Sequence, residues 1–162
     1  MAFDAYLKID GITGECTAKD HQNQIKITGY SHGVQQRLSG DISTAGYRTG
    51  GGCTHGFIRF TKQLDLASPA LYMSCSQGKN HASAEFAFYR AGGDRLKYLT
   101  VKLTNVNIAS ISVAQSENDQ FPLEEVELAY AKIEWEYSAT KSDASTGGSS
   151  TGSWNLEAHD VN

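Results

Sequence analysis

The sequence predicts a mainly β fold, a closed β-barrel or two-sheet sandwich with one short α-helix at about residues 68–77 and a long extended loop over residues 36–54. Three observations predict it. Apolar residues recur with period two along most of the 162 residues, and turn residues punctuate those runs. In two late runs the apolar phase slips by one residue, the signature of a β-bulge that bends a strand round a corner. A chain of this length buries roughly 70% of the surface it exposes when unfolded, so one domain over 1–162 needs no disulfide or metal staple.

The strands justify themselves in order. FDAYLKI puts Phe3, Ala5, Leu7 and Ile9 on one face; QIKITGY does so with Ile25 and Ile27; HGFIRFTK with Ile58 and Phe60. SAEFAFYR turns through AGGD into RLKYLTVKLT, a hairpin whose Phe86, Phe88, Leu99, Val101 and Leu103 face inward. Beyond it Val106 and Ile108 give way to Ile111 and Val113. Likewise Val126, Leu128 and Tyr130 give way to Ile133, Trp135 and Tyr137, so that the inward parity changes near Ala131. In DLASPALYMSCSQG, Ser68 reads as an N-cap, Pro69 as the first helical residue and Gly78 as the left-handed terminator. Two stretches have no period. Residues 36–54 form a loop longer than compact domains usually spend, and residues 139–153 read as a flexible Ser/Gly linker before a final strand carrying Trp154 and Leu156.

Charge excludes some functions. With 14 Lys plus Arg against 18 Asp plus Glu and no basic block, neither nucleic acid nor an anionic membrane is an expected partner. Three cysteines without C-x-x-C spacing predict free thiols in a reducing compartment. The N-terminal run is interrupted by Asp4, Lys8 and Asp10, which is not the pattern of a signal peptide, so any export is expected to bypass the general secretory route.

Candidate chemistry is weak throughout. LYMSCSQGKNH places Met73 and Asn80 where a phosphate loop needs Gly and Ser/Thr. Cys75 sits near a helix C-terminus, where the dipole opposes a thiolate, and shares a face with Leu71; a small buried hydrophobe is the expected role. Cys53 and His55, with His21, His32 or His81, lack metal-ligand spacing, and Glu124 and Glu125 point to opposite faces of a strand that solvent is expected to cover. No cofactor, metal or catalytic residue is expected. Tyr6, Tyr30, Tyr89 and Tyr98 all have parity opposite to the apolar face of their strands. Tyrosine suits exposed β surface, but it is also enriched in interface cores, which makes these four a candidate lateral interface.

YLKIDGITGECTAKDHQNQIKITGYSHGV, FTKQLDLASPALYMSCSQGKNHASAEFAFYRAGG, YLTVKLTNVNIASIS and the terminal SWNLEAHD together resemble the hemolysin-coregulated protein family, the tube subunit of type VI secretion systems. The resemblance implies a two-sheet β-barrel with one short helix, and a SPALYMSCSQGK helix without a catalytic role. It also implies homo-hexameric rings stacked inside a contractile sheath behind a spike, with effector proteins in the lumen. A protein of this kind waits in the bacterial cytoplasm and is secreted on firing. The Ser/Gly stretch at 142–153 departs from the family pattern. Stacking requires an axial contact, for which the 36–54 loop with Arg37, Asp41, Tyr47 and Arg48 is the candidate. The rival readings are a monomeric β-barrel that binds a ligand in an enclosed apolar cavity, and a hydrolase using an exposed Cys53 or Cys75.

Overall fold

The computed structural model describes residues 4–38, 40, 50–90, 95–141 and 145–158. The first alternating run becomes β1 (Asp4–Ile9), burying Ala5, Leu7 and Ile9 on one face. The second divides at Thr28 into β2 (Ile25–Ile27) and β3 (Gly29–Ser31). There follow β4 (Val34–Leu38), β5 (Gly50–His55), β6 (Ile58–Gln63), α1 (Ser68–Gln77), β7 (Asn80–Tyr89), β8 (Lys97–Ala114), β9 (Leu123–Thr140) and β10 (Thr146–Asn155).

One antiparallel sheet runs in the order β2-β1-β7-β8-β9-β6-β3, and β10 pairs with the second half of β9. Its two ends are one stretch of chain: β2 pairs with β1 and, past Thr28, β3 pairs with β6. The Thr28 N–H donates to the Thr61 carbonyl at 2.7 Å, and the two threonine hydroxyls meet at 3.0 Å. A Cβ on Gly29 would lie 2.5 Å from Thr61 Oγ1, so this close crossing requires glycine. The expected closed barrel is thus corrected in one respect: the covalent chain at Thr28, not a hydrogen-bonded ladder, joins the two edges.

The interior is filled by side chains from every strand of the main sheet but β3 and β10, with Phe60, Phe86 and Phe88 at its centre and Leu71 of α1 reaching in from outside the sheet. Phe60 and Phe86 meet edge to face at 5.9 Å, a favoured aromatic geometry. The predicted parity change in β9 is present, because Val126 and Leu128 are buried and so is Ile133. Opposite it, β8 changes face between Leu103 and Val106, at Asn105 with φ 53°, without loss of register because both strands turn together. The predicted slip after Ile108 is a true register shift between Ile108 and Ser110.

α1 ends as expected. Gly78 adopts φ 61°, its N–H bonds the Cys75 carbonyl at 3.2 Å, and the Lys79 N–H bonds the Ser74 carbonyl at 3.0 Å, closing the last turn. The start differs from expectation. Ala67 occupies the N-cap position and Ser68 is the first helical residue. The Ser68 hydroxyl is drawn instead into a buried polar cluster, accepting from Lys62 Nζ at 2.9 Å and donating to Glu124 Oε2 at 2.8 Å. Lys62 and Glu124 oppose each other across β6 and β9 with both side chains fully buried, 2.6 Å apart. Asp65 Oδ1 lies 2.8 Å from the same ammonium and the Gln63 carbonyl 2.9 Å. Glu124 therefore belongs to the interior, not to the solvated face its charge suggested. Strand alternation places it with Val126, and the entry to α1 covers it.

Two other expectations change. The ends of the 36–54 loop belong to an antiparallel ribbon of β4 and β5, in which Val34 opposes His55 and Leu38 opposes Gly50. The ribbon lacks a buried face, since every β4 residue is exposed, and Val34 and Leu38 alone are too few to mark a period of two. The 139–153 linker is likewise largely strand: residues 139 and 140 end β9, and β10 pairs with β9 from Ser149↔Ser138 to Asn155↔Lys132. Backbone hydrogen bonds hold this Ser/Gly segment, whose side chains carry no pattern. Trp154 opposes Ile133 and packs on the core, and the Leu156 N–H bonds the Ala131 carbonyl at 2.8 Å. Truncation after Ser153 is expected to remove about 2 kcal/mol from the unfolding free energy, the order of a partly buried aromatic, with a matching fall in urea midpoint. An unchanged midpoint would make the tail a passive appendage.

Candidate functional site

Of the residues expected to make axial contacts, Arg37 lies exposed on β4, while Asp41, Tyr47 and Arg48 lie outside the described residues. The four tyrosines do not share an outer face. Tyr6 is only 2% exposed because the segment before β2 folds over it, stacking His21 on its ring at 4.3 Å, and Arg95 binds its hydroxyl. Tyr89 is tied to the same histidine, Oη to Nε2 at 2.7 Å. Tyr30 turns inward, 4.9 Å from Phe88 and 5.2 Å from Phe86, and its burial, with Tyr130 nearby, holds the phenol far above its ordinary pKa. Tyr98 falls at the register shift opposite Phe88 and Tyr89 and packs against the core. Parity misplaced Tyr30 and Tyr98 because the bend at Thr28 and that shift each reverse the alternation.

At the root of the ribbon the sequence carries a signal that periodicity does not read: His-Gly occurs at both ends, as His32-Gly33 and His55-Gly56. The Gly56 N–H donates to the Gly33 carbonyl at 2.9 Å, drawing the two together. His32 Nε2 lies 2.6 Å and His55 Nδ1 3.3 Å from the Tyr130 hydroxyl, which itself reaches the Gly56 carbonyl at 3.3 Å. Trp154 stacks on His55 with centroids 6.0 Å apart, and Trp135 lies 6.3 Å from both imidazoles. Burial lowers the pKa of His32, and His55 lowers it further, against a bond to the Gly56 backbone; burial lowers His55 as well. Tyr130 is pushed up to about 12, by burial first and then by Cys53.

The three thiols are free and half-buried, with Cys75 packed on the core. Among the described residues no three His, Cys, Asp or Glu side chains converge as a metal site. A groove of about 510 Å³ beside Lys26, Asp65 and Arg95 is open and of mixed polar and apolar lining, unlike the enclosed apolar cavity a ligand-binding barrel needs.

Besides Met73 and Tyr137, the large apolar side chains exposed among the described residues gather at two ends of β6. Val34, Leu38 and Phe57 stand on or beside the ribbon, and Leu64, Leu66, Val113, Phe121 and Leu123 stand beyond Gln63, around the connection between β8 and β9. Among the described strands β10 ladders with β9 alone.

The family model described as "Type VI secretion system effector, Hcp" matches residues 6–137. The chain belongs to the Hcp family. This Hcp chain is 32% identical over 158 residues to protein hcp1 of Pseudomonas aeruginosa, with 96% of each chain covered. It superposes on a solved type six secretion system protein with a TM-score of 0.92 at 27% identity, over 98% of this chain and 99% of the other. It superposes also on Hcp1 of Salmonella typhimurium, with a TM-score of 0.79 at 28% identity over the whole of both chains. As an Hcp protein it is a subunit of the type VI secretion tube, in agreement with the resemblance read from its sequence.

Proposed function

We propose that six copies of this chain close into a ring, and that rings stack into the inner tube that a contractile sheath drives outward behind a spike, with effector proteins carried in the lumen. The role is structural, with no catalytic step. The observation that carries this reading is the ribbon, whose β4 residues are all exposed and whose Val34 and Leu38 meet water in a lone chain.

A ring needs heterologous contacts, one edge of a subunit meeting a different edge of its neighbour. The outer edge of β10 offers such an edge. Residues 146–155 contain no proline, lysine or other charge of the kind that usually protects an exposed strand from pairing. Tyr6, Tyr30, Tyr89 and Tyr98 contribute by shaping the subunit rather than by meeting its neighbour. The axial contact is assigned to the ribbon, with Arg37 on β4 and with Asp41, Tyr47 and Arg48 from the segment between its strands. The apolar group around Leu64, Leu66 and Phe121 lies at the far end of β6 from Phe57, which suits it to receive the ribbon of the next ring. Many weak contacts repeated round a ring hold a tube together while each remains reversible.

On this reading the protein waits in the cytoplasm and leaves on firing of the sheath. The test is export: the chain should accumulate outside cells with a working sheath and not outside cells lacking it. Equal release from both would contradict the proposal.

A further inference from the structure

We propose that His32 and His55 form an acid-released latch that fastens the root of the ribbon to the barrel through Tyr130. The ribbon leaves the barrel at His32-Gly33 and returns at His55-Gly56, and one hydroxyl from β9 meets both imidazoles. A tyrosine oxygen has one proton to give and accepts two. Donating to the Gly56 carbonyl and accepting N–H from His32 and His55, it is saturated with both rings neutral.

Proton uptake disturbs this arrangement. Each imidazolium gains a second N–H to satisfy, and the two ring centres are only 6.1 Å apart. Among the described residues the groups around them are Tyr130 and Trp135 from β9, Trp154 from β10 and, beside or behind Tyr130, Cys53 from β5 and Tyr30 from β3, none of them a carboxylate. Among the described residues neither histidine pairs with a carboxylate. The indole faces attract one cation but not two neighbouring ones without cost.

The sign follows from the depressed values of both rings. In a released ribbon the imidazoles regain ordinary behaviour near pH 6.5. The latch therefore contributes fully above that pH and is lost as pH falls through the lower values of the closed form. The latch stands apart from the stacking proposal. Were the ribbon the axial contact, acid would also uncouple rings.

Both tryptophans of the chain sit in the latch and report on it directly. The experiment follows tryptophan emission of the full chain from pH 8 to 5. In the same samples it measures amide hydrogen exchange, each rate referred to the intrinsic rate at that pH. The expected result is an emission change below pH 6.5, with at least a tenfold fall in protection over residues 50–56 while β7 and β8 keep theirs. His32→Gln/His55→Gln, which keeps hydrogen-bonding capacity but cannot ionise, should abolish the pH dependence. Tyr130→Phe should show low ribbon protection already at pH 7.5. Constant protection in the wild type would overturn the latch, as would equal loss in the double glutamine variant or simultaneous loss in β7 and β8. Should either variant fail to fold, the wild-type comparison of ribbon against β7 and β8 still decides.

Discussion

Lys62→Met is expected to lower the unfolding free energy by about 3–5 kcal/mol, the usual cost of leaving one member of a buried ion pair alone. Both Lys62 and Glu124 are fully buried, and the ammonium is also 2.8 Å from Asp65. Its removal strands two carboxylates, one of which, Glu124, keeps only the Ser68 hydroxyl among the described residues, while its Oε1 already lacks a partner. Glu124→Gln should cost less, about 1–3 kcal/mol, because Asp65 remains to neutralise the lysine. The double variant Lys62→Met/Glu124→Leu should recover most of the loss, since a well-packed apolar pair often replaces a buried ion pair without penalty. Urea midpoints of the three variants check this. A single Lys62→Met within 1 kcal/mol of wild type would show that the cluster contributes little to holding α1 against β6 and β9.

Cutting back the ribbon should separate ring formation from delivery. Replacing residues 41–52 by a short Gly/Ser link removes the first half of β5, yet among the described strands β4 and β5 pair only with each other and add nothing to the buried core. Loop-closure entropy varies slowly with length, so the melting temperature of the barrel should stay within a few degrees of wild type. The ring should persist, and delivery into neighbouring cells should be abolished. Loss of the ring itself would move the ribbon to the lateral interface, and normal delivery would deny it any part in stacking.

The sequence exposed those parts of the fold in which side chains carry the pattern. Ala5, Leu7 and Ile9 alternate because one face of β1 is buried, and Gly78 ends α1 because the chain there needs a left-handed residue. The face change in β9 was legible for the same reason, from Leu128 and Ile133. Where the backbone alone makes the structure, the pattern is silent: β4, β5 and β10 are held by ladders with few or no buried side chains. Glu124 was misread because charge normally reports solvent, and only the three-dimensional opposition to Lys62 reverses that rule. Tyr30 and Tyr98 were misread because a single bend or shifted pair inverts parity for everything beyond it. The candidate assembly site was legible only as the aperiodic segment itself. The histidines that bound it, Tyr130 and the two indoles come from four places in the chain, and nothing in their spacing brings them together.

The measurement that decides most directly between a tube subunit and an independent barrel is the native mass by light scattering across a tenfold range of protein concentration. A ring of six predicts six times the 17.6 kDa chain mass, about 106 kDa, or integral multiples of it where rings stack. A constant 17.6 kDa at every concentration would contradict it.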